Sequence, residues 1–404
     1  MKVKWFVYSF SAAMIVIIPL IISAILITIG LSSGSSSSSN KFTYDFCPKD
    51  GDANITNLLE PIRKNNKVPA ICAAVVTSDG LKCVGAVGVR KIGTEVPVTI
   101  NDKWHLGSDT KAMTATVIGK LVEDGKLKWR DTLGEIFAEL ESSMHEKMKN
   151  VTVLQILSHR AGLTANLDWP GISQNGTLQE QRYNAVKQAI SQKPESMPGT
   201  KYVYSNLGYV ISGAIIEKIT NSTYEEQITK LLFEPLDMKS TGFGGTGTIG
   251  QIDQPWPHND NGAPAGTNGL KMDNPLVMAS AGCVHCSMAD WGKFITDQLR
   301  GAMRKDALLQ QNTYEAIQMR HFDDDYALGW GVVEREWGDG DVLAHCGCNT
   351  MNLANVWIAP KRDFAIVVCV NQGGDAGFKA SDEAVGAIIN YYFKKPASKE
   401  TASK

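Results

Sequence analysis

Net charge is nearly absent from this chain: 40 Lys and Arg face 42 Asp and Glu over 404 residues, leaving a formal net charge of −2. No long basic run breaks the balance, so the electrostatic footprint expected of a nucleic-acid-binding protein is missing. Internal repeats are missing from the body too, which argues against an array of stacked copies of one unit. What remains is ordinary globular composition, 43% hydrophobic and 20% charged, with length for one large domain or two lobes.

Charge is also absent from one long stretch. Trp5 to Leu31 is apolar apart from small or hydroxyl residues, and at about 1.5 Å per residue it is long enough to cross a ~30 Å hydrocarbon core. Lys2 and Lys4 precede it, and the next basic residue is Lys41. That asymmetry predicts a cytoplasmic stub (1–4), a transmembrane signal-anchor (5–31), a Ser/Gly-rich linker (32–50), a catalytic domain outside the membrane (51–396) and a short tail (397–404). A cleaved signal peptide, releasing a secreted protein, is the rival, although its apolar region usually spans only about 7–15 residues. Pro19 does not decide between them, because membrane helices tolerate proline. Eight cysteines and four Asn-x-Ser/Thr sites (Asn54, Asn150, Asn175, Asn221) fit an oxidising exterior and a glycoprotein.

In the body, AICAAVV and CVGAVGV flank Ser78-Asp79-Gly80, a hairpin signal. Further strands are expected in YALGWGVVE, VLAHCG, NLANVWIA and FAIVVCVNQ, the last two joined by a turn at Pro360–Asp363. Helical spacing runs from Ser108 to Gly125, from Thr152 to Leu163, after Asn206, after a capping box at Ser287–Asp290, and from Ser381 to Phe393. Thr241 to Pro275, rich in Gly, Pro, Asn and Asp, reads as a long irregular segment. Strands at both ends and helices between predict an α+β fold: an antiparallel sheet flanked by helices, its first and last strands adjacent, plus a helical lobe.

The most informative stretch is HLGSDTKAMTATVIGKLVEDG, His105 to Gly125. A helix opening at Ser108 places Lys111 one turn on, within reach of the hydroxyl. Its N-terminus offers unpaired N–H groups and the positive dipole end to a developing oxyanion. Nucleophile, base and oxyanion donor are parts of an acyl-transfer site. Ser-x-x-Lys is a cheap pattern, however, and Ser38 to Lys41 repeats it in a serine run. Tyr204 and Asn206 form the only Tyr-x-Asn, just ahead of a helix, where capping is the plainer reading. His345-Cys346-Gly347 falls on a late strand, but His105-Leu106-Gly107 has the same pattern. His159 near a helix end suits a structural role better than a catalytic one.

In order, Ser-x-x-Lys, Tyr-x-Asn and His-x-Gly resemble the serine β-lactamase and penicillin-binding-protein superfamily. The closest likeness is to the branch with class C β-lactamases, D-alanyl-D-alanine carboxypeptidases and related esterases. LQILSHRAGL, PGTKYVYSNLGYVISGAIIEKIT, LLFEPLDMKSTGF and SAGCVHCSMADWGKF look like blocks of that family, over about residues 55 to 395. The resemblance implies Ser108 as acyl-accepting nucleophile, with Lys111 and Tyr204 sharing proton transfer and the base undecided between them. It implies Asn206, His345 and Gly347 as substrate-binding, the backbone N–H groups of Ser108 and Cys348 as oxyanion hole, and neither metal nor cofactor. The substrate would be a small molecule or peptide.

Two departures stand out. His345 replaces the Lys of efficient β-lactamases and is largely neutral near pH 7, and Cys346 and Cys348 replace the usual hydroxyl residues, with thiols the poorer donors. The expectation is therefore a serine hydrolase acting on an ester, amide or peptide, with little β-lactam turnover. Two other classes compete: a non-catalytic binding protein on the same fold, and a thiol-redox or zinc site in which Cys283, His285 and Cys286 meet His345, Cys346 and Cys348. For the N-terminal segment, sequencing the mature protein separates the alternatives: an anchor leaves the 5–31 segment attached, and a terminus downstream of it identifies a cleaved signal.

Overall fold

The computed structural model describes residues 53–265 and 273–393. The expected anchor and linker, and the tail from residue 394, lie outside the described residues. Among the described residues no helix is long and apolar enough to cross a membrane.

Six antiparallel strands form the main sheet, in the order β2-β1-β9-β8-β7-β6. They are β1 (Ala70–Thr77), β2 (Gly80–Gly88), β6 (Gly331–Arg335), β7 (Gly340–Cys348), β8 (Leu353–Ala359) and β9 (Phe364–Val370), with β3 (Lys103–His105), β4 (Gly242–Phe243) and β5 (Val284–Ser287) making a second, smaller sheet of order β3-β5-β4. β1 and β9 pair with Cys72 opposite Cys369, so the two ends of the chain meet mid-sheet. Both are wholly buried, and for that reason they read as unbroken apolar runs instead of alternating ones.

Alternation assigns the faces. Ile71, Ala73 and Val75 join a cluster with Ile55 and Leu59 of the Ala53–Asn66 helix and with Ala380, Ala384 and Ile388 of the Gly374–Phe393 helix. Cys72, Ala74 and Val76 face the other way, into the larger core shared with the helical lobe. Two hairpins are built on turns the sequence marks: Thr77 pairs with Gly80, and Asp363 leaves the β8–β9 turn in the left-handed region (φ 49°).

The helix Thr110–Glu123 runs through the larger core, buried on nearly every side. Gly119 faces side-chain tips there: a methyl group would stand 2.8 Å from the Ile317 Cδ1 and would require that side chain to shift. Asp124 caps its end, and Gly125 follows at φ 70°.

Three expectations are corrected. The Thr152–Leu163 pattern is a helix only over Val153–Leu157, opened by a Thr152–Gln155 capping box; beyond it His159 takes a left-handed φ of 59°. Ser287 does cap the Met288–Ala302 helix through the Asp290 N–H, but the Asp290 carboxylate accepts from the Ser240 N–H (2.6 Å) instead of closing a box. The terminal helix begins at Gly374, not Ser381.

Arg182, on the Leu178–Ser191 helix, is fully buried. It pairs with Glu217 of the Asn206–Thr220 helix and with Glu225, and donates to the carbonyls of Leu276 and Val277. These contacts tie the lobe together beneath the segment carrying Ala281. Removing one member of a buried pair strands the other charge. Arg182→Met is therefore expected to lower unfolding free energy by about 3–5 kcal/mol in urea titration.

Candidate active site

β3 ends at His105, and Leu106 then donates to the Val284 carbonyl on β5 (2.9 Å). Gly107 at φ 51° turns the chain into a 3-10 turn, Gly107–Asp109, from which the Thr110–Glu123 helix continues. Ser108 thus lies on the turn feeding the helix and not on the helix itself. The edge of β7 lies directly on this turn. A methyl group on Gly107 would stand 2.6 Å from the Cys348 nitrogen, and one on Gly347 would stand 1.8 Å from the Leu106 oxygen and 2.8 Å from the Ser108 nitrogen. Only residues without a side chain fit that backbone-to-backbone contact.

Lys111 has no solvent exposure. Its Nζ lies 3.0 Å from Ser108 Oγ, 2.8 Å from Asn206 Oδ1 and 2.7 Å from the Ala281 carbonyl oxygen. Burial pushes the amine down to about 7. The amide oxygen and the carbonyl oxygen can only accept. A neutral amine therefore spends its two N–H bonds on them and turns its lone pair to the Ser108 hydroxyl. Asn206, first residue of its helix behind the Ser205 cap, also donates from Nδ2 to Asn166 Oδ1 (3.1 Å), which in turn accepts from the Trp169 indole (3.0 Å).

The Tyr204 ring centroid lies 4.9 Å from Lys111 Nζ. Its hydroxyl is buried and makes no well-aligned hydrogen bond; burial raises the phenol well above its ordinary value, opposed by the Ser108 hydroxyl. His159 packs at a tilt against Tyr204 (centroids 4.4 Å apart) and Tyr326 (4.8 Å), and its Nδ1 accepts from the Ser205 N–H (3.0 Å). Burial, then the nearby Lys111 charge, holds His159 well below the usual imidazole range. Its ring holds Ser205 just after Tyr204, its carbonyl accepts from the Val203 N–H (2.8 Å) just before, and neither bonds Ser108.

Sequence matching covers most of this arrangement: the beta-lactamase family model matches residues 55–390. The chain belongs to the beta-lactamase family. It is 23% identical to Protein flp of Staphylococcus aureus (strain MW2) over 346 residues, 85% of this chain and 67% of that protein. The crystal structure of SurE superposes with a TM-score of 0.68 at 23% identity, covering 84% of this chain and 75% of that one. The D-alanine carboxypeptidase AmpC from Burkholderia cenocepacia gives 0.65 at 19% identity, covering 82% and 97%. At such identities the structural likeness speaks for the shared serine β-lactamase and penicillin-binding-protein fold alone.

Where this member departs from the family pattern, the structure gives physical detail. His345 is buried with both ring nitrogens engaged: Nδ1 is 3.1 Å from Asp109 Oδ1 and Nε2 is 3.0 Å from the Tyr326 hydroxyl. Burial, with Lys111 adding to it, pushes the imidazole down to about 3, and burial pushes Asp109 well above the carboxylate range. Cys346 and Cys348 pack on the far side of the sheet against the cluster containing the Gly374–Phe393 helix. Their thiols do not take the place of hydroxyls facing Ser108; only the Cys348 backbone reaches that side. Cys283 and Cys286 are buried in the opposite core, so the Cys/His convergence required of a redox or zinc centre does not form. Among the described residues no group of three or more His, Cys, Asp or Glu is arranged to hold a metal ion.

Several site residues were not foreseen from sequence. Asp109 and Tyr326 flank His345, the Ala281 carbonyl and Asn166 complete the Lys111 network, and Asp273 meets His105 Nε2 (2.8 Å) and accepts from Asn349 Nδ2 (2.9 Å). The sequence carries one faint signal for the first of these, a carboxylate directly after the candidate nucleophile.

Proposed function

We propose that this chain is a serine hydrolase that forms an acyl-enzyme on Ser108. The observation that carries the reading is the coordination of Lys111, a buried amine whose donors are taken by two obligate acceptors beside a serine hydroxyl. As Ser108 Oγ attacks a carbonyl carbon, its proton passes to Lys111 Nζ. The oxyanion is received by the N–H groups of Ser108 and Cys348, a role supported by the close approach of the Gly347–Cys348 backbone to the Gly107–Ser108 turn. The leaving group takes the proton from the Lys111 ammonium through the Tyr204 hydroxyl, and water reverses the path to release the acid. Burial drives both groups toward neutrality; neutral amine is a base and neutral phenol an acid, which supports Lys111 as base and Tyr204 as conduit.

The substrate is an ester, amide or peptide, small enough to reach a serine at the foot of a turn. Asn206, with its carbonyl on Lys111 and one N–H on Asn166, retains one N–H for a substrate. His345, neutral and engaged on both sides, offers no charge to a substrate carboxylate, which supports weak β-lactam turnover. The segment 5–31 would carry the domain outside the membrane, as anchor or cleaved signal.

Intact mass after exposure to an activated ester and to a penicillin tests the mechanism. An ester adduct or turnover is expected in the parent and neither in Ser108→Ala. Failure of both compounds, with ligand binding equal in parent and variant, would favour the non-catalytic reading.

A second measurement isolates Lys111. With the ester, kcat/KM is expected to rise with pH through about 7 as the ammonium loses its proton. Asn206→Asp places a carboxylate on Nζ, favours the ammonium, and is expected to move that limb upward by roughly one pH unit. An unmoved limb rules out Lys111 as the base.

A further inference from the structure

The pair Asp109 and His345 has no place in the acyl transfer just described, yet it joins the two backbone segments that supply the oxyanion donors. Asp109 directly follows Ser108, and His345 lies two residues before Gly347 on β7. Both are buried. Beyond His345 the contacts continue: its Nε2 meets the Tyr326 hydroxyl (3.0 Å). The loop carrying Tyr326 is itself fastened, because Asp324 accepts from Arg160 Nε (2.6 Å).

We propose that Asp109 is a positioning residue: protonated, it donates to Nδ1 of a neutral His345, and the resulting strut holds the Gly347–Cys348 edge of β7 against the Ser108 turn. The proposal rests on the Ser108 reading only for its kinetic consequence.

One arrangement leaves the ring and the acid neutral with no carboxyl proton unpaired: His345 donates to the Tyr326 hydroxyl from Nε2–H. Nδ1 then carries no hydrogen and must accept, and Asp109 must supply it. The second carboxyl oxygen agrees, since Asp109 Oδ2 is buried without a hydrogen-bond partner. As half of a carboxylate it would be a buried charge with no donor; as the carbonyl of a neutral acid it is far less costly. The titratable groups facing the ring are Asp109, Lys111, His159 and Tyr326. Lys111 disfavours a positive ring, and burial holds both His345 and Asp109 toward their neutral forms. The strut thereby gives β7 a fixed distance from the nucleophile turn without placing a charge beside Lys111.

Two measurements test this. In 15N-histidine spectra of the whole protein, with His345 assigned by its loss in His345→Gln, the ring is expected as the neutral Nε2–H tautomer, unchanged between about pH 5.5 and 8. A ring that titrates in that window, is doubly protonated or carries its proton on Nδ1 overturns the proposal. These spectra do not depend on Ser108 reacting, so they decide the strut even if the acyl-enzyme reading fails. In ester kinetics, Asp109→Ala is expected to lower kcat about 30-fold with KM within about threefold, because oxyanion donors contribute chiefly in the transition state. Asp109→Asn keeps an N–H donor for Nδ1 and is expected to restore kcat to within about threefold of the parent. A folded Asp109→Ala with parental kcat, or an Asp109→Asn as impaired as Asp109→Ala, overturns it.

Discussion

The site depends on keeping the amine of Lys111 out of water. A pKa near 7 in place of 10.5 corresponds to a preference for the neutral amine of roughly 5 kcal/mol, and only burial on every side produces it. Three parts of the chain cooperate: the Thr110–Glu123 helix presents the side chain, the start of the Asn206–Thr220 helix supplies the amide oxygen, and the Ala279–Gly282 turn supplies a carbonyl. The Arg182 network beneath them holds the last two together. Much of the lobe's packing serves to keep one short segment dry.

The sheet sets the other boundary. Because side chains alternate along β7, His345 and Gly347 face the Ser108 turn while Cys346 and Cys348 face the terminal helix. One strand therefore supplies a buried strut and a bare backbone edge on one side, and ordinary packing surface on the other. The thiols conspicuous in the sequence belong to the packing side, and the same alternation separates them from Cys283 and Cys286.

How much of this could be read beforehand follows from the range of each interaction. Ser108 and Lys111 are three residues apart, so a turn and a helix bring them together from local pattern alone. The Ser78–Gly80 hairpin and the meeting of the first and last strands were equally available, since turn residues and apolar runs are local signals. The Asp109–His345 contact joins residues 236 apart, and no periodicity foretells which strand edge lands on which turn. The Ala281 carbonyl carries no side-chain signature at all. His159 was obscured differently: helical spacing continued past Leu157, but the chain leaves the helix there because the left-handed turn lets the ring pack among Tyr202, Tyr204, Tyr209 and Tyr326. Tertiary packing outweighed local propensity.

That aromatic enclosure also explains how one environment suits two groups to the complementary tasks proposed for them. Desolvation acts on charge, not on residue type, so it lowers an amine and raises a phenol. Beside Ser108 the same dry surroundings leave Lys111 able to take a proton and Tyr204 able to pass one on, and they keep His159 and His345 from adding a competing positive charge. A lysine in place of His345 would introduce an ammonium into this enclosure within the field of Lys111. It would also have no lone pair to receive the Asp109 proton. The histidine thus fits an enclosure in which Lys111 titrates near neutrality while Tyr204, His159 and His345 stay uncharged.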